Sequence, residues 1–330
     1  MMDGPGMQFL GFPRRRVSGV TRSALAWALA LAVAGCELTE VTLAEPSDLV
    51  VAEVLIQHSD TGVHASALLY TTQGSKDPDR VRSARVVLTP EGGKPVHLPR
   101  VRHTVCLESM PREPVTEPAC YASNTALAHV RPGQYVDLTI TLPDGAEIRG
   151  STRTIGDFEV AAKERMAKGP RGLPICYLPP QTTLALAWTR AAGAWGYVIE
   201  SWIYGLPDAL APEGIAIDQD PLFLTGVSLS AADTTIVFPS QVGLAERLDE
   251  DAEVLLALED GLPEGSSAII YVVAADRNFV RWFRGASFNP AGTERISSLT
   301  GDGFGYFGAT AIRGLSVTTV ASPGVPSCIE

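Results

Sequence analysis

The stretch QYVDLTITLPDGAEIRG, residues 134–150, decides the fold class. Apolar and polar residues alternate from Val136 to Leu142, which is the period of a strand with one buried face. Asp144-Gly145 is a dipeptide typical of tight β-turns, and another short run with strand character begins at Glu147. This stretch therefore predicts a β-hairpin.

Similar runs occur on both sides of this hairpin. DLVVAEVLI, ASALLYTT, ARVVLTP and EIRGSTRTI alternate in the same way between Asp48 and Ile155, with turn residues between them. The chain of 330 residues also contains 31 glycines and 24 prolines, which favours many turns between short strands over long helices. We therefore expect an all-β protein built from β-sandwich modules.

The length predicts more than one domain, since a domain usually has about 150 residues. We place a first β-sandwich at residues 48–159 and a linker at 160–174, where VAAKERMAKGPRGLP has some helical propensity. A second β module follows at 175–330, with an insertion at about 206–253.

Both modules resemble known sandwich folds. The stretch ALAHVRPGQYVDLTITLPDGAEIRG resembles the closing hairpin of immunoglobulin-like or prealbumin-like modules. TTLALAWTRAAGAWGYVIESWIYG, Thr182–Gly205, resembles the early core hairpin of a fibronectin type III domain, and SAIIYVVAADRNFVRWF, Ser267–Phe283, resembles a later strand of that fold. Such modules occur in binding, spacer and accessory proteins, so the fold does not determine the function.

The N-terminus has the features of an export signal. Basic residues up to Arg22 precede the apolar run SALAWALALAVAG, which is too short to span a bilayer comfortably. Val33, Ala34, Gly35 and Cys36 then resemble the lipobox of bacterial lipoprotein signals. This resemblance implies that residues 1–35 are removed and that Cys36 is acylated. An ordinary secretory signal, a membrane helix and export by the twin-arginine route remain alternatives.

The residues after Cys36 fit a membrane tether. Residues 36–47 are mostly polar and acidic, as expected between a lipid and the first domain. In proteobacterial lipoproteins an aspartate in the second position favours retention in the inner membrane, and Glu37 stands there instead. We therefore expect a protein that is lipid-anchored in the outer membrane, on a face that the sequence does not specify.

Four further cysteines fit an oxidising compartment. Cys106, Cys120, Cys176 and Cys328 allow three pairings, and free buried thiols remain an alternative. We predict a local disulfide between Cys106 and Cys120 and a second one that joins Cys176 to Cys328.

Charge and motifs narrow the classes of function. The net charge of −11 disfavours binding to nucleic acid. The sequence has no G-x-S-x-G elbow, zinc-protease helix, P-loop or EF-hand loop, and no histidine stands at ligand spacing beside a cysteine. We therefore expect no catalytic activity, no metal and no cofactor, and the oligomeric state stays open.

The C-terminal stretch GDGFGYFGATA supplies the best functional indication. Together with the lipobox and the two modules, it resembles uncharacterised lipoproteins found beside TonB-dependent outer-membrane transporters. The resemblance implies an envelope lipoprotein that binds a ligand or a protein partner, such as a transporter, and that assists uptake. A structural or assembly lipoprotein and a hydrolytic enzyme with an unrecognised acidic site are the alternatives.

A partner-binding surface is predicted around NFVRWFRG, residues 278–285. As a strand, this stretch would carry bulky or cationic side chains on both faces. Because Trp, Tyr and Arg are enriched at contact hot spots, Arg281, Trp282, Arg284 and Tyr306 are the candidate contact residues. The alternative is that one face fills the core and that the other packs on the first module or the insertion.

Overall fold

The computed structural model describes residues 49–72, 79–107, 118–123, 127–161, 165–169, 172–228, 230–242, 252–285 and 295–329. Ser47–Glu330 form one compact unit. Cys36, the signal segment and the tether lie outside the described residues, so the predicted lipid anchor stays a prediction.

The predicted all-β fold is confirmed, because strands dominate the described residues and form three open sheets. The strands are β1 Val50–Ser59, β2 Gly62–Thr71, β3 Arg85–Pro90, β4 Val96–Leu98, β5 Arg100–Val101, β6 Ala119–Ala122, β7 Tyr135–Thr141, β8 Glu147–Arg153, β9 Ala167–Lys168, β10 Pro174–Tyr177, β11 Leu184–Ala187, β12 Gly196–Tyr204, β13 Leu222–Val227, β14 Thr235–Phe238, β15 Ser267–Ala275, β16 Thr300–Gly301 and β17 Gly303–Thr318.

The helices are short and connect strands. They are α1 Asp79–Arg82, α2 Thr104–Leu107, α3 Leu206–Leu210, α4 Ala252–Ala257 and α5 Arg277–Arg284, with a 3₁₀ turn at Ala211–Glu213.

The largest sheet has ten strands in the main order β13-β12-β15-β17-β1-β2-β6-β5, and β10 also pairs with β17 and with β9. In its centre β1 and β17 run parallel, with Val50 opposite Gly303. Gly305 has a φ of +133°, and a Cβ there would lie 2.0 Å from the Ala52 carbonyl oxygen. Only glycine therefore fits this close approach of the two central strands.

A five-stranded sheet, in the order β16-β8-β7-β3-β4, packs against the large one, and β11 with β14 forms a third sheet. Ile140 and Ile148 from the five-stranded sheet share one apolar core with Val54 and Phe307 from the large sheet. The predicted hairpin at residues 134–150 is present, because β7 and β8 are antiparallel neighbours.

The strand pairing crosses the predicted boundary between the two modules. Residues 48–159 supply β1 and β2 to the large sheet, and residues 175–330 supply β17 and three further long strands to the same sheet. The predicted insertion at about 206–253 contributes β13, which is hydrogen-bonded to β12. Alternation within a strand specifies its faces but not its partner, which explains the difference.

The other long-range predictions differ in detail. β11 and β12 do not form the predicted hairpin, because β11 pairs with β14. In the linker at 160–174, β9 pairs with β10, which begins at Pro174. The immunoglobulin-like and fibronectin-like assignments stay predictions.

The two predicted disulfides are present. Cys106 is bonded to Cys120, 14 residues away, and Cys176 is bonded to Cys328, 152 residues away. The second bond fastens the C-terminal segment to β10, where Cys328 N also donates a hydrogen bond to the Tyr177 carbonyl. The local bond lies in a small apolar cluster with Leu68.

Candidate ligand-binding cleft

The predicted partner-binding strand is a helix, and this corrects the sequence analysis. Helix α5 begins after Asp276, whose carboxylate accepts a hydrogen bond of 2.8 Å from Phe279 N, as an N-cap does. Helical spacing then brings Phe279 and Phe283 together, with ring centroids 5.9 Å apart. Bulky residues that would have occupied both faces of a strand therefore lie mostly on one side of a helix.

Trp282 and Tyr306 are buried, so neither belongs to an exposed contact patch. Trp282 is 7% exposed and Tyr306 is 5% exposed, and both pack in one cluster with Val51 and Leu55. Burial, with Glu53 nearby, raises the pKa of the Tyr306 phenol well above its ordinary value. These two side chains hold α5 against β1 and β17.

The two predicted arginines lie at the edge of this cluster. Arg281 and Arg284 are half-buried, and their guanidinium carbons are 6.0 Å and 5.5 Å from the centroid of the Trp195 ring. Trp195 is 41% exposed, and Arg284 also donates a hydrogen bond of 2.7 Å to the Ser228 carbonyl. The exposed aromatic residue near the arginines is therefore Trp195 and not Trp282.

A buried polar group lies beneath α5. Glu53 accepts a hydrogen bond of 3.1 Å from the Tyr70 hydroxyl, and Arg295 Nη1 lies 3.8 Å from the Glu53 carboxylate. The Arg295 guanidinium also stands 4.9 Å from the centroid of the Trp282 ring. These contacts fix the start of the segment from residue 295 onward, which forms one wall of the cleft described below.

Asp276 fixes the opposite wall. The Thr152 hydroxyl on β8 donates a hydrogen bond of 2.5 Å to the Asp276 carboxylate, and burial raises the pKa of this carboxyl to about 6. Asn278 Nδ2 donates to the Phe307 carbonyl at 2.9 Å and to the Ser151 carbonyl at 3.2 Å. The first turn of α5 is thus bound to the ten-stranded sheet and to the five-stranded sheet, and this holds Arg281 in place.

A cleft of about 460 Å³ opens between α5, β8 and the segment before β16. Its volume is within the usual range for small-molecule sites. Two arginines, several hydroxyl groups and one amide account for most of its lining, which comprises Arg149, Gly150, Ser151, Asn278, Arg281, Ile296, Ser297, Ser298 and Thr300.

Internal hydrogen bonds hold these walls. Ser298 Oγ accepts a bond of 3.0 Å from Phe307 N, and Ser297 Oγ donates to the Gly305 carbonyl at 3.0 Å. At the floor Leu299 packs closely on Gly150, because a Cβ there would lie 2.7 Å from the end of the Leu299 side chain. The cleft is therefore held by contacts between β8 and two segments that come much later in the sequence.

The cleft combines positive charge with hydrogen-bond donors. Arg149 forms an ion pair with Glu147 beside the cleft, but among the residues that the structure describes the lining contains no acidic one. Guanidinium groups donate pairs of hydrogen bonds to carboxylates and phosphates, and hydroxyl groups add further donors. The arrangement can therefore hold a small anion.

Two further features bear on function. Within the described ranges, no group of three or more His, Cys, Asp or Glu side chains is placed to hold a metal ion. No helix in the described part of the chain is both long and apolar enough to cross a bilayer.

Sequence reasoning found Arg281 but missed the rest of the cleft. Arg149 and Ser151 lie on the predicted strand EIRGSTRTI, and their outward positions carried no sign of a site. The capping residue Asp276 was a local signal that could have predicted α5, because Asp is favoured immediately before a helix. No protein-family model matches this chain, and no curated protein matches it significantly.

Proposed function

We propose that the protein is a non-catalytic, lipid-anchored protein of the bacterial cell envelope that binds a small anionic ligand in the cleft. The observation that carries this proposal is the presence of Arg149 and Arg281 in a lining whose described residues include no acidic one. The chain as a whole has a net charge of −11, so a positively charged cleft is a local exception. Clustered donors of this kind attract anions and orient them.

The cellular setting rests on the lipobox. Acylation at Cys36 would anchor the protein, and Glu37 favours the outer membrane. An anchored protein that binds a small anion could deliver it to an outer-membrane transporter, which matches the resemblance to lipoproteins found beside such transporters. The immunoglobulin-like and fibronectin-like assignments belong to the same proposal.

Neutralising the cleft should abolish anion binding. We expect phosphate or citrate to raise the melting temperature of the purified full chain, because a ligand that binds only the folded state stabilises it. Arg281→Gln and Arg149→Gln should each weaken the binding of the effective anion at least about tenfold, the loss of one charge-assisted contact. Titration calorimetry measures the dissociation constants.

Arg190→Gln is the matched control, since Arg190 is an exposed arginine outside the cleft. It should bind the anion like the unmodified chain. The proposal is wrong if neither anion binds, or if all three variants bind it equally well.

Membrane attachment should depend on Cys36. In a bacterial host that processes lipoproteins, we expect the full chain to fractionate with the outer membrane and to incorporate labelled palmitate. Cys36→Ala should incorporate no label and should leave the membrane or keep its signal, because acyl chains and not the apolar segment provide the mature anchor. A processed Cys36→Ala chain that still partitions into detergent would contradict the lipid anchor.

A further inference from the structure

One face of the large sheet is made by β12, β13 and β15 and carries a single charged side chain. Glu200 is the only Asp, Glu, Lys or Arg in these three described strands. On β12 the alternate residues Ile199 and Ile203 are buried in the main core, so Glu200 and Trp202 point to the opposite face. We call this opposite face, formed by Glu200, Trp202, Phe223, Thr225 and Tyr271, the aromatic face.

Three aromatic residues lie beside Glu200 on the aromatic face. In the strand register Glu200 lies opposite Thr225 on β13 and opposite Tyr271 on β15, and Trp202 lies opposite Phe223. The Trp202 ring is 4.9 Å from the Phe223 ring and 5.5 Å from the Tyr271 ring, measured between centroids. The Trp202 and Tyr271 rings are nearly perpendicular, at 85°. The rings thus form a corner, not a flat stack.

Tyr271 is held in position by the strand beside it. A Cβ on Gly314 of β17 would lie 2.7 Å from the Tyr271 ring, so the ring lies directly against this glycine. All three aromatic side chains and Glu200 are half-buried. The corner is therefore a supported surface with aromatic walls.

Two polar groups of the aromatic face, the Glu200 carboxyl and the Thr225 hydroxyl, have no partner among the described residues that would explain them. Within the described part of the chain, Thr225 Oγ1 is buried without a hydrogen-bond partner. Burial alone raises the pKa of the Glu200 carboxyl to about 7, with no neighbouring cation to lower it. The titratable groups on the same face are the phenols of Tyr271 and Tyr204. A carboxylate placed among aromatic rings costs free energy unless a cation compensates it.

We propose that this corner binds the quaternary ammonium group of a small organic cation, with Glu200 as its counter-ion and Trp202, Phe223 and Tyr271 as its walls. The faces of aromatic rings are negative and attract such cations, and the attraction is strongest where water is excluded. Charge complementarity supports this occupant, because the three strands offer a carboxylate and ring faces and, among their described residues, no positive charge.

The chemistry favours a methylated ammonium over a metal ion or a simple amine. Divalent metal ions need several carboxylate or carbonyl ligands, and the described side chains of this face offer one carboxylate. A primary ammonium has three N–H donors to satisfy. A quaternary ammonium has none, and its methyl groups pack against rings. The site lies on strands outside the cleft, so it is independent of the anion-binding proposal.

Choline is the probe, and 3,3-dimethylbutan-1-ol is its uncharged counterpart of the same shape. We expect the purified full chain to bind choline at least about tenfold more tightly than the alcohol in titration calorimetry. Glu200→Gln keeps the size of the side chain, and it should remove this preference without lowering the melting temperature. Glu213→Gln is the control on an exposed carboxylate and should bind choline normally.

The binding should also depend on pH. Since the free carboxyl has a pKa of about 7, about a tenth of it is ionised at pH 6 and about nine-tenths at pH 8. Choline affinity should therefore rise about tenfold over this interval and should not change in Glu200→Gln. Equal binding of choline and the alcohol, unchanged binding by Glu200→Gln, or binding only to phosphatidylcholine vesicles and not to free choline would overturn the proposal.

Discussion

Removing the bond between Cys176 and Cys328 should lower the free energy of unfolding by about 5 kcal/mol. The physical reason is the loop of 152 residues, because closing it restricts the unfolded chain strongly. The change is Cys176→Ala together with Cys328→Ala. Denaturant unfolding of the purified chain measures the difference.

The other disulfide is the matched control. Cys106→Ala with Cys120→Ala opens a loop of 14 residues, for which the expected loss is about 3 kcal/mol. Reversal of this order, or recovery of four free thiols from protein isolated from the envelope, would contradict the prediction.

Trp282→Ala should destabilise the fold by about 3–5 kcal/mol, as expected when a large aromatic side chain is removed from a packed site. The Trp282 side chain on α5 packs against the Phe304 and Tyr306 rings of β17. The centroids of these rings lie 5.5 Å and 5.4 Å from the centroid of the Trp282 ring. Thermal and denaturant unfolding measure the loss.

Trp195→Ala is the comparison. Trp195 is more exposed than Trp282, and it contacts Arg281 and Arg284 at the protein surface. We expect it to cost about 1 kcal/mol or less. If Trp282→Ala unfolded like the unmodified chain but lost a binding partner, the original prediction of an exposed patch would be supported instead.

The sequence predicted the strands well, because their signal is local. Alternation marks β1, β2, β3 and β7, and Asp144-Gly145 marks the turn before β8. The cysteines were also informative, since an even number in a chain with a predicted export signal favours disulfides. The pairing of strands could not be predicted in this way, and β11 shows why. It resembles the first half of a hairpin, yet its partner β14 follows after residue 234.

Helix α5 was mispredicted because aromatic residues are common in strands and because the preceding residues are a strand. Its helical spacing and the capping Asp276 were weaker signals that tertiary packing later reinforced. The cleft was harder still, since Arg149 and Arg281 are far apart in the sequence and meet only through the packing of α5 near β8. No local pattern encodes that meeting.

The parallel pairing of β1 with β17 determines when the protein can fold during its synthesis. The first described strand leaves the ribosome early, but its partner on one side follows only after Leu299. Until then β1 has an open edge, and the loop that must close is nearly as long as the folded unit. Contacts this distant in the chain form slowly. The folded unit therefore stays incomplete until β17 has been made, which is compatible with the export proposed above.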